Sequence, residues 1–184
     1  MAPTDVLKQE HEGIKVALKV LDRICADLEV GKQASIGHLE QLLEFIRVFA
    51  DSCHHGKEED VLFPALEKAG LPSAGGPVQV MLLEHSMGRN YVRQLGDAIA
   101  EYKKGNRAAS LRIVENGRGY INLLSAHIMK ENNILFPMAE VRLPEEEKRR
   151  VMRAFEQIET ERIGPGRHEQ FHEMLHRLKE AYKL

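Results

Sequence analysis

Three long stretches of this chain carry apolar residues at alternating steps of three and four, and each places a histidine on that same stripe. The first runs Leu7, His11, Ile14, Leu18, Leu21, Cys25 and Leu28, and the second runs Val78, Met81, His85, Gly88, Val92, Leu95, Ile99 and Tyr102. The third runs Ile113, Gly117, Tyr120, Leu124, His127, Glu131, Ile134 and Met138. Such steps keep a stripe on one side of an α-helix, so each stretch is an amphipathic helix whose histidine faces whatever covers the stripe. A fourth stretch, Leu39, Leu43, Ile46, Ala50, His54, Glu58, Val61 and Ala65, follows the pattern less regularly, with His55 about 100° further round.

No run alternates polar with apolar residues for long enough to read as a strand. Breakers divide the chain at Gly31 with Ser35, Gly70 to Pro77, Gly105-Asn106, Pro137 with Pro144, and Gly164-Pro165-Gly166. Helices are predicted over 4–30, 35–69, 77–104, 107–139, 144–162 and 167–183. Short loops make consecutive long helices antiparallel. The expectation is an all-α chain: an up-down-up-down four-helix bundle over residues 1–140, with residues 141–184 as a helical extension packed on it within the same domain.

At 184 residues the chain can bury a core without disulfides. A net charge of −2 from 26 basic and 28 acidic residues gives no broad basic face, which speaks against nucleic acid or an anionic membrane as partner. No apolar run approaches the ~20 residues of a membrane span. Cys25 and Cys53 stand far apart without a CxxC pattern, and no leader-like segment opens the chain, so a reducing cytoplasm is expected.

Nine histidines are concentrated in a chain with only 5% aromatic residues. Two phrases hold three of them: CHHGKEEDVLFP, Cys53 to Pro64, and AHIMKENNILFP, Ala126 to Pro137. Glu10-His11 recurs as Glu84-His85 at an offset of 74, while His54, Glu58 and Leu62-Phe63-Pro64 recur as His127, Glu131 and Leu135-Phe136-Pro137 at an offset of 73. The halves are approximate copies. Register therefore selects His54 and Glu58 for the core and leaves His55 and Glu59 flanking it.

A single seam histidine is ordinarily a hydrogen-bonded core residue. Four of them with two glutamates are different, because a buried carboxylate is costly unless paired. Each His-x-x-x-Glu pair lies one turn apart on one face, offering nitrogen and oxygen donors to one centre, and a bundle core is where four helices can build it. Two such sets related by a pseudo-twofold suggest two metals, each with two histidines and shared bridging carboxylates. A donor set without thiolate suits iron, manganese or zinc, and a carboxylate-bridged pair leans to iron.

As a spaced set, E-H, HHxKEExxLFP, E-H and HxxxExxxLFP over residues 4–140 resemble the hemerythrin-like, HHE cation-binding family. The resemblance implies an antiparallel four-helix bundle around a non-haem diiron site, with roles in binding O2 or NO, sensing, iron handling or peroxide chemistry. Carried over by position, its ligands are His11, His54, Glu58, His85, His127 and Glu131. Oxygen-carrying hemerythrins place a second histidine one turn from the third-helix ligand, whereas here Met81 and Arg89 flank His85. One metal is thus expected to have fewer protein ligands and a more open position, with His168 able to fold back and complete it. Iron–sulfur cluster repair proteins are similar in the bundle, but their N-terminal cysteine pair is missing here, so that activity is not expected.

His168 to His172 reads HEQFH and fits the HExxH zinc-protease pattern. Only twelve residues follow it to supply a third ligand, and no substrate strand is predicted. His168, His172 and His176 otherwise form a solvated stripe. Tyr120 reads as core packing, with a hydrogen bond or electron route to the metals as the alternative. The leading expectation is a diiron module binding O2, NO or iron. The alternatives are a diiron oxidase or peroxidase acting on O2 or peroxide, and a metal-free helical interaction protein. Any signalling output would need a protein partner.

Overall fold

The computed structural model describes residues 1–72 and 74–184. Six helical rods contain its regular structure, and there is no strand among the described residues. They are α1, Pro3–Glu29; α2, a continuous rod over 36–68; α3, Pro77–Lys103; α4, a rod over 109–142; α5, Glu145–Arg162; and α6, Arg167–Ala181. The ends follow local chemistry. The Ser35 side chain accepts from the His38 backbone N–H at the start of α2, prolines stand in the first turns of α1 and α3, and Gly31 and Gly105 turn the chain at positive φ. The first four rods form a closed ring, with α1 on α2 and α4, and α3 on α2 and α4.

Two rods are not uniformly α-helical. In α2, Ile46–His55 and Glu58–Leu62 are wound as π-helix, and in α4 so is Glu131–Leu135. Proline explains the wide turns at both LFP phrases. Pro64 and Pro137 have no N–H, and the ring of each crowds the carbonyl four residues back. Phe63 and Phe136 instead donate five residues back, to the carbonyls of Glu58 and Glu131. Pro137, expected to help end its helix, is carried through to Arg142.

The core falls into two apolar clusters with a polar layer between them. One, built on Leu21, Ile24, Phe45, Leu95 and Ile113, is extended by Phe171 and Leu175 of α6. The other, built on Leu7, Leu62, Phe63, Val78 and Phe136, is extended by Val151 and Phe155 of α5. Burying one such side chain stabilises by about 1.5–3 kcal/mol, so the two clusters hold rigid walls on either side of the layer.

Candidate metal centre

The polar layer draws one histidine from α1 (His11), two histidines and a glutamate from α2 (His54, His55, Glu58), His85 from α3, and His127 with Glu131 from α4. All seven are at most 3% exposed. Their donor atoms fall into two groups, each with its atoms within 4.8 Å of one another: His55, Glu58, His85 and His127; and His11, His54, Glu58 and Glu131. Glu58 belongs to both, with Oε1 3.7 Å from His54 Nε2 and Oε2 3.4 Å from His85 Nε2. Glu131 spans them too, with Oε1 3.1 Å from His127 Nε2 and Oε2 3.2 Å from His11 Nε2.

The outer edge of every ring is fixed. His11 Nδ1 lies 2.9 Å from Asn132 Oδ1, His54 Nδ1 2.8 Å from Glu10, and His55 Nδ1 3.3 Å from Asp51. His85 Nδ1 lies 2.7 Å from Glu59, and His127 Nδ1 2.9 Å from Glu84. Each of these partners is an acceptor, so a neutral ring carries its proton on Nδ1 and keeps a lone pair on Nε2, which points inward. Opposite those lone pairs lie the carboxyl oxygens of Glu58 and Glu131 and, for His85 and His127, each other's Nε2 at 3.1 Å, so the layer holds more acceptors than protons. Accordingly both oxygens of Glu58 and of Glu131, with His11 Nε2 and His55 Nε2, are buried without a hydrogen-bond partner among the described residues. Unsatisfied buried acceptors are costly, and a cation at the convergence of the lone pairs satisfies them all. The residues fit metal ions.

The charge balance agrees. Burial, then the charge of Glu131, pushes the Glu58 carboxyl well above its usual range. Burial acts on Glu131 in the same direction, but His11 and His127 beside it hold its carboxyl well below. Burial lowers His54 to about 4, and it drives His55 well down with help from its neighbouring histidines. Neutral imidazoles are the form that binds metal. Outside the layer, burial would raise Glu10, yet His54 and Lys57 hold it at about 2, so it is an anion facing a ring N–H.

The six residues expected at the centre, His11, His54, Glu58, His85, His127 and Glu131, are brought together. His55 was expected to flank the core and is instead buried in the first group. The physical reason is the π winding. The Gly56 N–H reaches back to the Asp51 carbonyl, and a wider turn advances somewhat fewer degrees per residue than the ~100° of an α-helix, a lag that accumulates along Ile46–His55 and brings the His55 ring over that of His85, 3.9 Å between centroids. One group therefore has three histidines and the other two, where two and two were expected. Glu59 lies outside both groups and orients His85. His168 also lies outside them, its ring 5.2 Å from that of Phe49 and 4.9 Å from that of His172. Tyr120 is core, its ring beside Gly88.

The orienting residues Glu10, Glu84, Asp51 and Asn132 were not singled out from the sequence. A signal existed in the two Glu-His doublets, but each glutamate serves the histidine of a neighbouring helix. Glu10 holds His54 and Glu84 holds His127. The repeat extends to their partners, since Lys57 donates to Glu10 and Lys130 to Glu84.

Residues 2–139 match the family described as hemerythrin HHE cation binding domain. An uncharacterized protein of Mycobacterium tuberculosis is 25% identical over 163 residues, which are 89% of this chain and 63% of that protein. The iron-sulfur cluster repair protein YtfE of Salmonella typhimurium is 34% identical over 94 residues, 48% of this chain and 41% of that protein. The chain thus spans less than two thirds of the length of these curated relatives. No solved structure gives a significant match. Since the match covers all four rods that supply the converging histidines and glutamates, the chain belongs to the hemerythrin HHE cation binding domain family.

Proposed function

We propose that the centre holds two iron ions, one at each donor group, bridged by Glu58 and Glu131, and that it binds a small diatomic ligand, O2 or NO. The observation that supports this is the set of seven buried side chains whose acceptor atoms converge in excess of the protons available to them. Nitrogen and carboxylate donors without thiolate favour iron over softer choices, and manganese and zinc are the competitors. A bound iron pair supplies the redox electrons and Lewis acidity that ligand binding needs.

The chain does the rest. Glu10, Glu59, Glu84, Asp51 and Asn132 fix the rings before any ion arrives, so little reorganisation accompanies binding. The apolar clusters on both sides of the layer keep bulk water out. Three histidines serve one ion and two the other, so the second has fewer protein donors and is where an outside ligand finds a free position.

The test is elemental analysis of protein purified without chelator or tag metal, beside the His54→Ala/His127→Ala double variant. Expected are about two irons per chain, lost in the variant. No stoichiometric metal even after anaerobic iron loading would overturn the reading. With iron present, a stable O2 or NO adduct supports the binder, and steady peroxide turnover abolished by Glu58→Ala would replace it with an enzyme.

A further inference from the structure

The family match ends at residue 139, yet α5, which begins at Glu145, reaches the centre. Lys57 is fully buried between two carboxylates. Its ammonium donates to Glu10, whose other oxygen faces His54 Nδ1, and to Glu159 Oε2 of α5 at 3.1 Å. Three residues on, Arg162 crosses α2, donating to the Ser52 carbonyl at 3.0 Å and to the Asp60 carboxylate. Gly56 makes that crossing possible, because a methyl group there would lie 2.0 Å from Arg162 Nη1. The anchors Ser52, Lys57 and Asp60 bracket the wide-wound stretch that carries His54, His55 and Glu58.

That stretch needs holding. Relaxation to ordinary α-helix would change the rotation accumulated along the stretch and turn His54 and His55 away from the positions they hold at the centre. His55 is the more exposed to such a slip, because its bond to Asp51 is the longest of the five Nδ1 contacts. In the other half Lys130 holds Glu84 with a side chain that is 36% exposed, where that of Lys57 is wholly buried under α5.

We propose that α5 is a positioning brace for the metal centre. Glu159 clamps Lys57 and Arg162 clamps Ser52 and Asp60, which keeps α2 in the register that turns both His54 and His55 inward. The brace rests on the reading that these histidines hold ions.

The test compares the full-length wild type with Glu159→Gln/Arg162→Ala and with Gly56→Ala. It measures amide hydrogen exchange over residues 50–60 in metal-free protein, thermal unfolding, and ferrous-ion titration. Gly56→Ala is the discriminating variant: its methyl group displaces the guanidinium, yet alanine favours helix, so a merely structural effect predicts equal or higher stability. Both variants are expected to exchange faster over 50–60 and to bind the second ferrous ion about 10- to 100-fold more weakly. An Ile113→Val control, in the distant core, is expected to keep wild-type affinity. Unchanged exchange, or faster exchange with both affinities intact, would overturn the brace. If the wild type binds no metal, the functional reading fails separately, while exchange in metal-free protein still decides whether α5 holds the stretch.

Discussion

Glu58 and Glu131 both bury two oxygens without partners among the described residues, but only Glu58 lacks neighbours that hold its carboxyl low, so its burial costs more without an ion. Glu58→Gln is neutral at every pH, removes the cost of keeping that carboxyl protonated, and is expected to raise the melting temperature of metal-free protein at neutral pH by several degrees, corresponding to about 1–4 kcal/mol. The same change should abolish the bridged pair, read as loss of metal stoichiometry. A lower melting temperature in the metal-free state would show that the carboxylate is already satisfied. His55→Ala is expected to leave one ion bound and weaken the other, which distinguishes the three-histidine group from a flanking role. The thiols behave oppositely to metal ligands. Burial pushes Cys25 up to about 11 and Cys53 up to about 12, so neither is expected to react with iodoacetamide at about pH 8 until the chain unfolds. At this scale the repeat made six of the seven converging side chains legible, because register and helix angle agreed on them. His55 was hidden because its counterpart in the second half is Ile128, so the repeat pointed only to His54.

At the scale of the helices, spacing and punctuation carried most of the information. Observed boundaries fall within a few residues of those expected, because stripes of three-and-four steps and Gly/Pro loops are local signals. The winding of α2 and α4 was not legible, since an apolar stripe on a mixed α and π rod reads only as an irregular stripe. Yet the phrase LFP in both rods contained the cause. Replacing a mid-helix proline with alanine ordinarily stabilises by about 3 kcal/mol. Pro137→Ala is expected to gain much less, or to lose stability, because the wide turn sets the face on which buried Phe136 and Ala139 meet the core. A rise in melting temperature of the full size would mean that packing has no use for the wide turn. The link between α5 and the centre had no sequence signature, since Lys57 and Glu159 stand 102 residues apart.

For the whole molecule, the centre ties folding to pH and to metal. In metal-free protein burial lowers His54 to about 4 from 6.5. Its contribution is therefore complete above pH 6.5 and is lost as pH falls toward 4, on the order of 3 kcal/mol. His55, also lowered by burial, acts in the same direction. Glu10, held at about 2 against a usual 4.5, adds a loss below pH 4.5. Glu58 works the other way: its raised carboxyl stabilises the fold at low pH and loses that contribution as pH rises through its folded value. His127, lowered by burial but raised further by Glu131, also favours the low-pH side. The Glu58→Gln chain removes the larger opposing group, so its denaturant midpoint is expected to fall steadily from pH 6.5 to 4. A midpoint flat across that window would show that His54 is not held neutral by the fold. Loaded protein should melt higher at neutral pH by an amount that grows with free metal, as for any ligand that binds only the native state. Acid should erase the difference, because protons compete with the ions for the same lone pairs. Two apolar clusters divided by a layer with more acceptors than protons form a fold that is complete in its packing and incomplete in its charge, a gap that bound ions would close.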